Sequence, residues 1–260
     1  MGKNKLARFA EMETLPNVIQ VPFNEALKTK FQFKGIWKQG FFKKNNPLVL
    51  ELGCGKGEYT VGLAKRFPEK NFLGVDIKGS RMWVGAKKAF NEKISNVAFL
   101  RTRIELIDSF FAHSEVDEIW LTFPDPQVKP QRAKKRLTSS EFLTKYRKFL
   151  KNDGCIHLKT DSFLLFDYTR KLLNYNSLQI VSETNDLYSS EFADDIRSIQ
   201  THYESLFVEK GEKITYLKFN IYSQNKIIEL PAPIELKRND YKKAIVTLVE
   251  GQMIDVTTGI

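Results

Sequence analysis

The 260-residue chain has little cysteine and little histidine, with only Cys54, Cys155, His113, His157 and His202. Two cysteines can build neither a disulfide framework nor a cysteine zinc site, and the histidines show no ligand spacing, so no structural metal is expected. Both cysteines read as small buried residues of a reducing compartment. Long apolar runs are missing as well. Phe163 to Phe166 and Ala244 to Val249 are far too short to span a bilayer, and Met1 to Ala10 has no apolar signal core. A soluble, cytoplasmic protein that does not enter membranes is the expectation. Acidic residues are in deficit, 31 Asp and Glu against 41 Lys and Arg, a net charge of +10. Such a surface attracts polyanions, and composition by itself does not choose between nucleic acid and an anionic membrane face.

What is present is a hydrophobic share of 42% with 20 phenylalanines, which excludes a disordered or collagenous chain. The length suits one large domain, or a core domain with extensions. Residues 1–46 read as a basic arm, with nine basic and three acidic side chains and aromatics interleaved at Phe31, Phe33, Trp37, Phe41 and Phe42. Basic plus aromatic suits nucleic acid; a solvated extension packing a few rings on the main domain is the plainer reading.

From Pro47 short apolar runs alternate with longer helical stretches, the βαβ rhythm of a doubly wound, mostly parallel α/β sheet. Strands are expected at Leu48 to Leu52, Phe72 to Asp76, Val97 to Arg101, Glu118 to Thr122 and Cys155 to Lys159. Helices are expected near Gly57 to Phe67, Ser80 to Asn91, Ile104 to Phe111, Thr138 to Leu150 and Phe163 to Leu173. Two further strands, Leu178 to Val181 and Ile214 to Tyr222, flank a helical stretch near Thr201 to Glu209. Residues 47–225 thus form the core domain, and 226–260, with a β-like run at Ala244 to Val249, a carboxy-terminal extension.

The loop after the first strand reads Glu51-Leu52-Gly53-Cys54-Gly55-Lys56-Gly57. Glycines serve where a backbone turns with positive φ and where a ligand must approach main chain closely. The spacing differs from the dinucleotide fingerprint Gly-x-Gly-x-x-Gly, and an acid precedes the first glycine by two. That carboxylate suits the cationic S-adenosylmethionine better than a pyrophosphate. Asp76, at the end of the second strand, can accept both ribose hydroxyls. An ordinary tight turn and a solvated acid are the plainer readings.

The fourth strand ends in Phe123-Pro124-Asp125-Pro126, where flanking prolines fix one carboxylate at the sheet end that binds ligands in open parallel sheets. Nine basic residues and one acidic follow between Lys129 and Lys151, including Arg132, Lys134, Lys135 and Arg136. A charge run is usually a solvated face; beside a reaction centre it suits phosphate binding.

On these residues, with Leu73-Gly74-Val75-Asp76, Thr160-Asp161 and Thr201-His202-Tyr203-Glu204, the chain from about Pro47 to Asn220 resembles the bacterial tRNA (guanine-N7-)-methyltransferase family. The resemblance implies a Rossmann-like, seven-stranded S-adenosylmethionine-dependent methyltransferase sheet with its last strand antiparallel. It also implies methyl transfer to N7 of the variable-loop guanosine at position 46 of tRNA. Glu51, Gly53, Gly55, Gly57 and Asp76 would hold the cofactor, with Thr102 and Arg103 beside its adenine, and Asp125 would lie between cofactor and guanine. Lys129, Asp161, Thr201, His202, Tyr203 and Glu204 would contact the substrate nucleotide.

Asp161 also fits a helix N-cap and Thr201 to Glu204 a capping box, and capping does not exclude contact. The sequence departs from the family pattern at Gln127, where Trp is common, and at Arg103, where Asp is common. Two other readings compete: a methyltransferase of the same fold with another substrate, and an RNA-binding scaffold with a vestigial cofactor site. A monomer or a homodimer satisfies all of them.

Overall fold

The computed structural model describes residues 3–22, 31–191 and 199–231. By contact the chain divides into residues 1–229 and 230–260. Most of the carboxy-terminal extension, including the run at Ala244 to Val249, lies outside the described residues.

The strands are β1 (Val18–Gln20), β2 (Leu48–Leu52), β3 (Asn71–Asp76), β4 (Val97–Arg101), β5 (Val116–Thr122), β6 (Leu150–Thr160), β7 (Ile180–Thr184) and β8 (Thr215–Phe219). They form one sheet in the order β1-β4-β3-β2-β5-β6-β8-β7, and only β8 runs antiparallel to its neighbours β6 and β7. Helices are α1 (Lys3–Thr14), α2 (Glu58–Arg66), α3 (Gly79–Asn91), α4 (Ser140–Arg147), α5 (Phe163–Tyr175) and α6 (His202–Glu209). β2 is buried along its whole length, as expected of a central strand of a parallel sheet covered on both faces. It pairs with β3 on one side and β5 on the other, so the chain reverses its winding direction there and a cleft opens beyond the carboxyl ends of β2 and β5.

The sheet has one strand more than the expected seven. The eighth, β1, comes from within residues 1–46 and forms the edge, pairing in parallel with β4, Val18 opposite Phe99. The same segment supplies α1, which packs on α3. Its aromatics are structural too. Trp37 is fully buried in a single π-turn (Trp37–Phe41), its indole Nε1 donating to Phe110 O at 2.9 Å, amid the rings of Phe31, Phe33, Phe41, Phe42 and Phe111. Glu115 holds this turn by accepting from the amides of Gly35 and Trp37 at 2.8 and 3.0 Å.

Two helices differ from expectation. Residues 104–109 form a 3-10 stretch rather than an α-helix. α4 ends at Arg147, and β6 begins at Leu150, five residues before the expected strand. Lys151 to Gly154 carry little β propensity, so the early part of β6 is invisible to residue preference and exists through its pairing of Leu150 with Val116.

Candidate active site

The loop between β2 and α2 turns on three glycines with positive φ, +85° at Gly53, +55° at Gly55 and +70° at Gly57. A Cβ at Gly53 or Gly55 would meet no atom within 4 Å, so these two present bare backbone to open space. Gly57 differs: a Cβ there would stand 2.5 Å from the Phe99 ring, and Gly85 of α3 packs close by. There the missing side chain lets helix and sheet approach. Asp76, at the tip of β3, braces the loop. Its two carboxylate oxygens accept from Gly55 N at 2.9 Å and Lys78 N at 2.8 Å.

Glu51 is 3% exposed and accepts hydrogen bonds from the hydroxyls of Thr60 and Thr122. Burial pushes its pKa up to about 7, against the pull of those two donors. Glu51 lines a cavity of about 130 Å³ together with Gly53, Gly55, Phe123 and Thr201.

The loop after β5 is held at both ends. Phe123 and Gln127 both have left-handed φ, +48° and +46°, sparsely populated for residues with a side chain, and they bracket Pro124-Asp125-Pro126. Phe123 N donates to Lys159 O at 2.8 Å, and its ring stacks on Phe207 of α6. The exposed carboxylate of Asp125 accepts from Gln127 N at 2.9 Å. Gln127, where the family pattern has Trp, is thus the left-handed corner of the turn.

These two loops face each other across a cleft of about 570 Å³, which brings together Gly53, Gly55, Asp76, Thr102, Arg103 and Asp125. Arg103 is exposed, while Thr102 is buried at the cleft wall, its amide donating to Asp76 O at 3.1 Å. Lys129 and Asp161 lie outside the linings of both cavities. Ser162, rather than Asp161, caps α5 by accepting from Leu165 N at 3.3 Å. Thr201 and Glu204 do form the capping box of α6, and His202 and Tyr203 occupy its first turn.

Glu204, expected at the substrate, is fully buried and pairs with the equally buried Lys159 at 2.6 Å while accepting from Tyr188 Oη at 2.7 Å. Its carboxylate thus has partners inside the protein. Lys159 braces the site, a part that sequence reasoning missed. Its backbone carbonyl holds Phe123 and its ammonium holds Glu204 and Ile199 O, so one residue of β6 ties the Asp125 loop to the start of α6. The only signal was a lysine at the end of the expected strand Cys155 to Lys159.

The basic stretch divides in two. Arg136 is 8% exposed, Lys145 and Arg147 donate to backbone carbonyls, and Lys148 and Lys151 pair with Asp108 and Asp117. Lys129, Arg132, Lys134 and Lys135 are exposed. Farther down the sheet, Glu118, Cys155 and His157 cluster, with Glu118 Oε1 and Cys155 Sγ at 3.0 and 3.2 Å from His157 Nε2. Lys70 neutralises Glu118 at 2.9 Å, and the Trp120 ring stacks on His157. Cys54 is buried as expected, whereas Cys155 is only half-buried.

Residues 45–217 match a family model described as "Putative methyltransferase". Among curated proteins the chain is 52% identical over 236 residues to a tRNA (guanine-N(7)-)-methyltransferase of Bacteroides thetaiotaomicron, covering 91% of this chain and 93% of that one. A protein of the same name from Porphyromonas gingivalis is 50% identical, covering 89% and 95%. Among solved structures, the 16S rRNA methyltransferase KamB superposes with a TM-score of 0.51 at 14% identity, covering 68% of this chain and 89% of that one, which is a likeness of fold. With identity of this order over nearly the full length of its relatives, the chain belongs to the tRNA (guanine-N7-)-methyltransferase family.

Proposed function

We propose that this protein transfers the methyl group of S-adenosylmethionine to N7 of a tRNA guanosine, and that the acceptor is the variable-loop guanosine at position 46. The observation that carries the reading is the single cleft into which both the bare glycine loop with Asp76 and the rigidly held Asp125 project. The donor set fits the cofactor: open backbone at Gly53 and Gly55, a carboxylate at the tip of β3 for ribose hydroxyls, and Glu51 beside the loop to face a cationic group. When bound, S-adenosylmethionine supplies an electrophilic methyl group on a cationic sulfur.

Guanine N7 carries a free lone pair and no proton, so its attack needs no general base, and the protein contributes position and electrostatics. Asp125 is suited to accept from the N1 and N2 edge of guanine and to stabilise the positive charge that the purine gains on methylation. The base must leave its stack to reach the cleft. In this reading Thr201, which lines the smaller cavity with Glu51, contacts the nucleotide, and Lys129, four residues after Asp125, its phosphates. The exposed cations Lys129, Arg132, Lys134 and Lys135 grip the RNA backbone.

The deciding assay is transfer of labelled methyl to tRNA with and without the variable-loop guanosine. Labelling is expected only when that guanosine is present, and equal labelling of both would refute position 46. In the same assay Asp125→Ala is expected to lose most turnover while tRNA binding persists; unchanged turnover removes Asp125 from the reaction.

A further inference from the structure

Arg136 belongs by sequence to the basic run, yet the fold turns it inward. Its guanidinium donates through Nε to Pro126 O at 3.0 Å and through Nη2 to Gln127 O at 3.3 Å. It lies 4.2 Å from the centroid of the Tyr168 ring. Tyr168 Oη donates to Glu229 at 2.7 Å, and the other oxygen of Glu229 accepts from Ser140 N, at the first residue of α4, at 3.0 Å. The two carbonyls that Arg136 grips are those immediately after Asp125, and one belongs to the left-handed Gln127 whose amide binds the Asp125 carboxylate. A planar fork that spans two successive carbonyls fixes their orientation, which a single ammonium cannot do. A left-handed conformation at a residue with a side chain persists only where its surroundings hold it there.

We infer that Arg136 is a positioning residue: it clamps the Asp125 loop in its reactive geometry, with the Tyr168 ring and Glu229 holding the clamp, and it is not part of the RNA grip. The inference rests on the proposed methyl transfer for its kinetic arm only. Arg136→Lys keeps a cation at the position and removes the fork. Its kcat is expected to fall on the order of 100-fold, the cost of small misplacements at a reacting centre, while tRNA affinity and its salt dependence stay as in the parent protein. Tyr168→Phe, which keeps the ring and drops the hydroxyl, is expected to lower kcat in the same direction by less.

Amide hydrogen exchange across residues 123–128, measured without cofactor or RNA at a temperature where each variant is folded, is expected to accelerate in Arg136→Lys. Full turnover by Arg136→Lys would overturn the inference, and so would a weakened salt dependence of tRNA binding in Arg136→Gln, which removes the charge and would assign Arg136 to phosphate contact. Unchanged exchange at 123–128 would overturn it whatever the substrate. A parent protein that methylates no tRNA would instead count against the proposed function and leave the exchange test standing.

Discussion

Glu51 shows how far one residue's chemistry depends on what surrounds it. The carboxyl is drawn up from 4.5 to about 7 because burial opposes its ionised form more than Thr60 and Thr122 support it. The folded protein therefore holds a proton on Glu51 between those two values that the unfolded chain has released, so stability contributed at this site falls as pH rises from about 4.5 through 7. Full ionisation costs on the order of 3 kcal/mol. Glu51→Gln removes that penalty, so thermal melts of the cofactor-free variant should lose less stability than the parent between pH 5 and pH 8. His157, whose pKa burial lowers despite the neighbouring Glu118, acts in the opposite sense but is common to both proteins and cancels in the difference. A cationic ligand favours the carboxylate, so the same variant should bind S-adenosylmethionine more weakly. Identical pH profiles for the two proteins would place the titration elsewhere.

Among the elements, the π-turn around Trp37 joins the amino-terminal segment to the core. Its indole is fully buried and hydrogen-bonded to Phe110 O. Trp37→Ala should cost ~3–5 kcal/mol by urea unfolding, the range for deleting a buried aromatic, with tRNA affinity of the folded fraction preserved. A stacking role on RNA would reverse that pattern, giving weaker binding with little loss of stability. Alternation alone cannot distinguish a buried ring from one that stacks on a base, because both are aromatic residues between charges. What decided for Trp37 was contact with Phe110 and Phe111, more than seventy residues away. The strands fared better: β2 and β4 lie where their apolar runs begin and end, because a central parallel strand must be apolar on both faces.

For the molecule as a whole, the sequence gathers the excess of positive charge into residues 1–46 and the stretch Lys129 to Lys151, and the fold sorts the second. Arg136, Lys145, Arg147, Lys148 and Lys151 have partners within the protein, which leaves Lys129, Arg132, Lys134 and Lys135 facing solvent beside the cleft. Replacing Lys129, Arg132 and Lys134 together by Ser should reduce the slope of log affinity for tRNA against log salt by roughly 2 to 3, at close to one released counterion per lost phosphate contact. Binding titrations over a range of salt measure this, and an unchanged slope would move the RNA grip to another face. Among the described residues no helix is long and apolar enough to cross a bilayer.

Local preference and spacing by themselves determined the α/β rhythm, the glycine loop, the acid at the end of β3 and the proline-bracketed Asp125. Each depends on residues adjacent in the chain, and backbone sterics and strand patterning act at that range. Only the tertiary structure decided which of these groups share a cleft, that Gly57 packs against Phe99 while Gly53 and Gly55 stay open, and that β1 extends the sheet. It also decided that Glu204 and Lys159 neutralise each other out of water, and that Arg136 faces inward to the Asp125 loop rather than outward. A charged side chain carries the same charge in either place. Whether it meets solvent or a buried partner is set by distant segments, which no local pattern encodes.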